Sequence, residues 1–316
     1  MVKEQWVKDF KGNEEVKIEL MVQEKEIKPF VSKEGEYLQL QLGDKTGEIA
    51  ALCWNPLLIA SDIKKGDIIS IKGITQKHKE YGLQLILNPI DIKICKEYDL
   101  QDFLKSTSKD IDKLMEELLR TIEGIKTKEL CTLVMSFFED SEFVKKFRES
   151  PATLLYNHNY IGGLLEHTVN VIRICKTICD NYPELNKDLL ITASILNKIG
   201  KTQEYKIDRM IDIDEEGGLI GHIILNDRLL QKKFEEFENF PKDLKLKLSH
   251  MIVSRFSKKE YGSQQKPKFP EAATLVYADY LDSNIQGFKQ MFEESKEDEE
   301  DIWFYNKKKG YYLYLK

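Results

Sequence analysis

The spacing of apolar residues changes once along this chain, near Cys95, and that change limits the fold more than any other feature. From Val16 to Lys93 apolar and polar residues alternate in short bursts between Gly-containing and charged turns, with Leu38, Leu40 and Leu42 on one face. A period of two belongs to half-buried strands. The turn Gly43-Asp44-Lys45-Thr46-Gly47 leads into Glu48 to Trp54, Lys64-Lys65-Gly66-Asp67 precedes Ile68 to Ile71, and Gly82 to Leu87 supplies a further strand. About five short strands with no long amphipathic helix suit a small closed barrel better than a sandwich. Beyond Cys95 the period becomes helical, in Ile111, Leu114, Met115, Leu118 and Leu119 and again in Leu130, Val134, Phe137 and Phe138. Helices are expected to about Phe292. After the acidic run Glu293 to Asp301, a terminal hairpin is expected from Trp303-Phe304-Tyr305, a Lys307-Lys308-Lys309-Gly310 turn and Tyr311 to Leu315. Its aromatics read as packing residues rather than a base-stacking platform.

A chain of 316 residues is long enough for two compact domains. Its net charge of −6, from 48 basic and 54 acidic residues, means that contact with nucleic acid has to come from a local patch. The five cysteines include no Cys-x-x-Cys pair, which argues against a disulfide framework or a zinc ribbon. Cys175 and Cys179 share a helix face and read as core thiols. The N-terminus has no apolar signal region, and no apolar run approaches the roughly 18 residues that cross a bilayer. The expectation is a cytoplasmic protein without membrane contact.

The informative stretch runs Asn157-His158-Asn159-Tyr160-Ile161-Gly162-Gly163-Leu164-Leu165-Glu166-His167-Thr168. Ile195-Leu196-Asn197-Lys198-Ile199-Gly200-Lys201-Thr202 follows, then Gly221-His222-Ile223, Ser249-His250-Met251-Ile252-Val253-Ser254, and Tyr277-Ala278-Asp279-Tyr280-Leu281-Asp282. This order resembles the HD-domain phosphohydrolases, and most closely the YhaM-type 3′-to-5′ exoribonucleases, which join an N-terminal OB-fold to an HD domain. The barrel pattern, with its Gly-Asp-x-x-Gly turn and following Trp54, is similar to an OB-fold of the nucleic-acid-binding kind. The resemblance covers nearly the whole chain. It implies an α+β multidomain protein: an OB-fold β-barrel at 1–96, a helical linker at 97–150, an all-α HD domain at 151–292, and an acidic segment with a short C-terminal β-hairpin at 293–316.

In that family a first His, a His-Asp pair and a later Asp bind one or two divalent metals. The metals polarise a phosphoryl oxygen and lower the pKa of a bound water. Here the His-Asp positions read Asn197 and Lys198, and two further expected histidines appear as Arg255 and Phe256. The remnant of the catalytic set is His167, His222, Asp279 and Lys201, with Asp282 close to the last ligand and His250 reading as a packing or substrate-side residue. An ammonium about 4 Å from a dication is repelled by roughly 8 kcal/mol at an effective dielectric of about 20, which is about six decades of affinity. Two outcomes stay open: Lys198 takes the vacant metal position and pairs with Asp279, or it turns outward from a decayed pocket. If a metal binds at all, His167, His222 and Asp279 are its candidate ligands, with Asn197 adding an amide oxygen, and Mn²⁺ or Mg²⁺ suits such a set better than zinc.

Lys201 has the reach and charge to hold a phosphate, and Arg255 adds a second cation at the same mouth. In the barrel, Tyr37, Trp54 and Tyr81 are candidate stacking residues, with Lys45, Lys77, His78 and Lys79 in turns. Three functions are consistent with these residues. The first is an RNA- or single-stranded nucleic-acid-binding relative of the exoribonucleases with a degenerate, metal-free site. The second is an active exoribonuclease or phosphohydrolase with a reduced one-metal site, and the third is a protein-interaction scaffold. The expected partners are single-stranded RNA or DNA, or a nucleotide, and on the protein side a second copy or an active nuclease.

Overall fold

The computed structural model describes residues 5–30, 34–54, 62–78, 81–254, 265–295, 302–306 and 310–314. Lys79, Arg255 and Phe256 lie outside them. The chain divides into two compact units, Met1–Ser106 with Asp208–Met210, and Thr107–Ile207 with Ile211–Lys316.

The first unit is a closed barrel of five strands: β1 (Glu15–Pro29), β2 (Glu36–Asp44), β3 (Gly47–Cys53), β4 (Ile68–His78) and β5 (Gly82–Ile94). Their order is β1-β2-β3-β5-β4, closing back on β1. This is the expected OB-fold. All pairs are antiparallel except β3 with β5. β1 reaches both neighbours because it bends: Glu15 to Met21 pair with β4 and Met21 to Pro29 with β2, with a register shift between Val22 and Glu24. An extra residue in one strand sharpens its twist and lets a short sheet close. The alternation read from the sequence fills the barrel, where Leu20, Leu38, Leu40, Leu42, Ala51, Ile69 and Leu85 are fully buried. Each buried aliphatic of this size stabilises the fold by roughly 1.5–3 kcal/mol relative to exposure.

The second unit is helical: α1 (Ile111–Glu123), α2 (Lys128–Phe138), α3 (Ser141–Glu149), α4 (Gly163–Asn181), α5 (Lys187–Leu196), α6 (Lys201–Glu204), α7 (Glu215–Ile220), α8 (His222–Glu235), α9 (Lys242–Val253) and α10 (Pro270–Ser295). A small sheet of β6 (Tyr205–Ile207) and β7 (Ile211–Ile213) interrupts them, unforeseen in the sequence because each strand is only three residues long. Asp110, Asp140 and Asn186 accept main-chain N–H bonds at the starts of α1, α3 and α5, which satisfies donors that a helix leaves open. The segment expected as a helical linker holds α1 to α3. Their Leu118, Ile122, Leu133, Phe137 and Phe147 enter one core with Leu164, Val171, Cys175, Leu190 and Leu275 from α4, α5 and α10.

β8 (Trp303–Asn306) and β9 (Tyr311–Tyr314) form the expected C-terminal hairpin. Its aromatics do not pack as expected. Trp303 faces Tyr314 and Tyr305 faces Tyr312 across the strands, and all four rings are exposed. The opposite face does the packing, with Leu313 buried beside Tyr156 and Met291. Among the described residues no helix is long and apolar enough to cross a membrane.

Candidate functional site

The helical unit gathers its polar residues where α4, the end of α5 and α10 meet. On α10, Asp279, Asp282, Gln286 and Gln290 recur at spacings of three and four and so share a face. Tyr277, Leu281, Ile285 and Phe288 are left exposed. This inversion of the usual helix pattern has a local cause: the polar face meets the chain entering α4. Gln286 donates to the Tyr160 hydroxyl at 3.1 Å and Gln290 to Asn159 Oδ1. Asn157 and His158 enter with φ of 66° and 57°, a left-handed conformation that costs a non-glycine residue on the order of 1 kcal/mol or more. His158 is fully buried there, with Nε2 2.9 Å from Asp282 Oδ2 and Nδ1 3.1 Å from the Tyr160 hydroxyl. Only glycine fits at 163, because a Cβ would lie 2.1 Å from the His158 carbonyl oxygen.

His167, one turn into α4, bridges both aspartates. Its Nδ1 is 2.6 Å from Asp282 Oδ2 and its Nε2 2.8 Å from Asp279 Oδ1. The Lys198 ammonium reaches the same Asp279 oxygen, also at 2.8 Å. Of the two orientations open for Lys198, the inward one is therefore present. Burial acts to raise the Asp282 carboxyl, but the bonds from His158 and His167 overcome it and hold the group below the usual carboxylate range. For His158 burial is the stronger influence and lowers its pKa in spite of Asp282.

Asn197 and Lys198 sit in the turn that ends α5, and Asn226 of α8 fixes that turn. The Asn226 side chain donates to the carbonyls of Leu196 and Asn197 at 2.9 and 3.2 Å and accepts from Gly200 N–H at 2.7 Å. A Cβ at Gly200 would lie 2.3 Å from the His222 carbonyl oxygen, so the approach of α8 requires glycine. Asn197 itself is buried.

Lys201 and His222 form a neighbouring cluster around Glu204. The Lys201 ammonium contacts the Glu204 carboxylate, donates to the Tyr205 hydroxyl at 2.9 Å and lies 4.8 Å from the centroid of that ring. His222 places its main-chain N–H 3.2 Å and its Nδ1 3.3 Å from Glu204 Oε1. Burial pushes Lys201 down to about 8 against the pull of Glu204, and pushes His222 down to about 4. Burial raises Glu204, but bonds from His222 and Lys201 bring it down to about 2. The phosphate-holding cation expected at Lys201 is thus committed to a carboxylate. His250 accepts from Lys268 N–H at 3.1 Å and lies against Phe269, a packing arrangement.

Among the described residues, His158, His167 and Asp282 bring one potential metal-ligand atom each within 4.8 Å of one another. Both imidazoles meet the same oxygen, Asp282 Oδ2. At the positions where the resemblance puts a His-Asp pair, Lys198 brings positive charge onto Asp279. The donor set does not fit the metal centre that the resemblance implies.

On the barrel, Tyr37 near the start of β2 and Trp54 just past β3 come together with Phe30. Ring centroids are 5.3 Å apart for Phe30 and Tyr37, 6.0 Å for Phe30 and Trp54, and 5.6 Å for Tyr37 and Trp54. Trp54 is 47% exposed. A groove of about 480 Å³ beside it is lined by Lys72, Ile74, Ile86 and Asn88. Tyr81, 69% exposed, lies against His78 with centroids 4.9 Å apart; Lys77 and His78, expected in a turn, are instead the last two residues of β4, paired with Leu83 and Gly82, and Lys77 is exposed there. Lys45 stands beyond the opposite end of β2 from Tyr37, paired with Asp102 at 2.9 Å and over the Trp6 ring.

Sequence reasoning missed His158, Glu204, Asn226 and Phe30 and gave Asp282 no separate role. The signal for Asp282 was available in the three-residue spacing from Asp279. Glu204 was likewise legible in its three-residue spacing from Lys201, whereas His158 and Asn226 depend on contacts between distant segments, which no local pattern reveals.

Residues 164–284 match the HD domain family model. The chain is 28% identical to the 3′-5′ exoribonuclease YhaM of Bacillus subtilis over 268 residues, covering 82% of each chain. It is 26% identical to the YhaM of Listeria innocua over 301 residues, covering 91% of each. Among solved structures, a domain of replication protein A from Methanococcus maripaludis matches 29% of this chain and 96% of its own length, at 28% identity and a TM-score of 0.25.

Proposed function

Residues 164–284 form an HD domain in a chain homologous over most of its length to YhaM 3′-5′ exoribonucleases, and from that premise we propose that this protein binds single-stranded RNA without hydrolysing it by the metal-dependent route of its relatives. One observation carries the proposal: the Lys198 ammonium lies 2.8 Å from Asp279 Oδ1, the carboxylate oxygen that also meets His167. The resemblance assigns Asp279 to the metal, and a cation already bound there opposes a second one of twice the charge.

The binding half of the proposal draws on the barrel. Phe30, Tyr37 and Trp54 offer adjoining ring faces with one well-exposed member. Stacking contributes about 1–3 kcal/mol per base and tolerates many sequences, because every base has a π-face. Such a patch suits a protein of net negative charge, in which phosphate attraction alone is weak.

The test is degradation and filter binding of 3′-labelled and 5′-labelled single-stranded RNA with Mn²⁺, with Mg²⁺ and with chelator. Retention of intact RNA under all three conditions is the expected result. Metal-dependent shortening from the 3′ end overturns the proposal in favour of a one-metal nuclease, and absence of binding overturns it in favour of a scaffold.

A further inference from the structure

The HD pocket keeps two histidines and two aspartates in mutual contact beside the changed positions 197 and 198. His167 Nε2 and Lys198 Nζ share Asp279 Oδ1, while His167 Nδ1 and His158 Nε2 share Asp282 Oδ2. The side chains of all five residues are between 0 and 16% exposed. Two carboxylates at such depth require compensating positive charge, since a buried unpaired ion is strongly unfavourable. In a metal centre a bound ion provides that charge. Here Lys198 provides it to Asp279 through a covalent tether, while Asp282 is met by His158 and His167.

We propose that the Lys198 ammonium is the permanent cation of this pocket, standing where a divalent ion would have to contact Asp279 and His167, and that the pocket is a latent divalent-metal site closed by Lys198 and Asn197. This inference rests on the non-hydrolytic reading of the HD domain.

Three features argue for a lock rather than a decayed site. An ion bonded to Asp279 Oδ1 at about 2.1 Å would lie within about 5 Å of the ammonium, where repulsion at an effective dielectric of about 20 corresponds to about five decades in Kd. His167 Nε2 lies 2.8 Å from Asp279 Oδ1, the same oxygen that Lys198 meets, so that nitrogen is engaged with the carboxylate the ammonium already holds. The turn carrying positions 197 and 198 is held by Asn226 through both preceding carbonyls, so its backbone is fixed by α8 rather than by the side chains at 197 and 198. Changing two residues therefore exchanges a cation for potential ligands on a backbone that Asn226 holds in place.

The experiment uses the full chain as it exists, with Asn197→His/Lys198→Asp as the unlocked variant. Mn²⁺ uptake is followed by the electron paramagnetic resonance of free Mn²⁺, and the thermal midpoint by circular dichroism, with and without chelator. The unmodified chain is expected to leave the free Mn²⁺ signal undiminished and its midpoint unmoved. The variant is expected to take up Mn²⁺ and to gain about 5–10 °C at a hundredfold excess over Kd. Uptake by the unmodified chain that disappears in His167→Ala overturns the proposal, as does a folded double variant that takes up no Mn²⁺. If the double variant does not fold, Lys198→Ala decides: weak uptake abolished by adding Asp279→Asn supports the lock, and no uptake by folded Lys198→Ala overturns it. Filter binding of RNA to the unmodified chain is scored separately, so loss of the RNA-binding reading leaves the metal result interpretable.

Discussion

Asp282 Oδ2 lies 2.9 Å from His158 Nε2 and 2.6 Å from His167 Nδ1, so one carboxylate oxygen ties the left-handed entry of α4 to the helix itself. Removing the carboxylate leaves two buried imidazoles to find other partners. Asp282→Ala is expected to lower stability by about 3 kcal/mol, and Asp282→Asn, which keeps one acceptor, by less. Urea unfolding of the two variants measures both values, and equal losses would show that the oxygen kept by asparagine contributes nothing.

Lys198 and Asp279 are expected to be energetically coupled. Lys198→Met leaves Asp279 without its ammonium and should destabilise by about 2–3 kcal/mol, whereas adding Asp279→Asn should restore part of the loss. A double-mutant cycle in urea is expected to give a coupling of about 1–3 kcal/mol. A coupling near zero would mean that the ion pair makes no net contribution.

Acid should loosen the Glu204 cluster in two overlapping windows. His222 is pushed by burial from 6.5 down to about 4, so the unfolded chain takes up its proton first and stability falls as pH drops from 6.5 to 4. Glu204 is held at about 2 against an ordinary 4.5, so its contribution is present above 4.5 and is lost between 4.5 and 2. Lys201 gives the same sign on the alkaline side: its buried charge penalises the fold below about 8, and that penalty is relieved as pH rises from 8 to 10.5. The thermal midpoint of Glu204→Gln, followed against pH, should lack the lower acid window. An unchanged profile would remove Glu204 from the account.

Trp54→Ala should weaken single-stranded RNA binding about ten- to hundredfold, because it removes the most exposed ring of the Phe30, Tyr37 and Trp54 group. Lys45→Ala, at the other end of β2 and already paired with Asp102, should change affinity by less than about threefold. Fluorescence anisotropy of a labelled oligonucleotide separates the two. Equal effects would place the binding surface elsewhere on the barrel.

The parts of the fold that repeat were legible in the sequence. Leu38, Leu40 and Leu42 announced the barrel interior by alternation, and Leu114, Leu118 and Phe137 announced the helical core by their spacing. The orientation of Lys198 was legible only as a choice between two, because charge says what an ammonium seeks and not whether the backbone lets it reach. Lys201 shows the limit. Its place in a Gly-Lys-Thr run suggested a phosphate, yet Glu204, one helical turn away, takes the ammonium. The hairpin aromatics misled for a different reason. Tyr312 and Tyr314 flank Leu313, which packs, and hydrophobicity alone does not say which face of a two-stranded ribbon meets the core.

A counter-ion that belongs to the chain arrives at its site with the polypeptide and at a fixed ratio of one per molecule. With Lys198 neutralising Asp279 from within, the proposed lock implies that assembly of α4, α5 and α10 does not wait on the concentration of any metal in the surroundings. The helical unit should therefore mature at the same rate in metal-starved and metal-replete conditions.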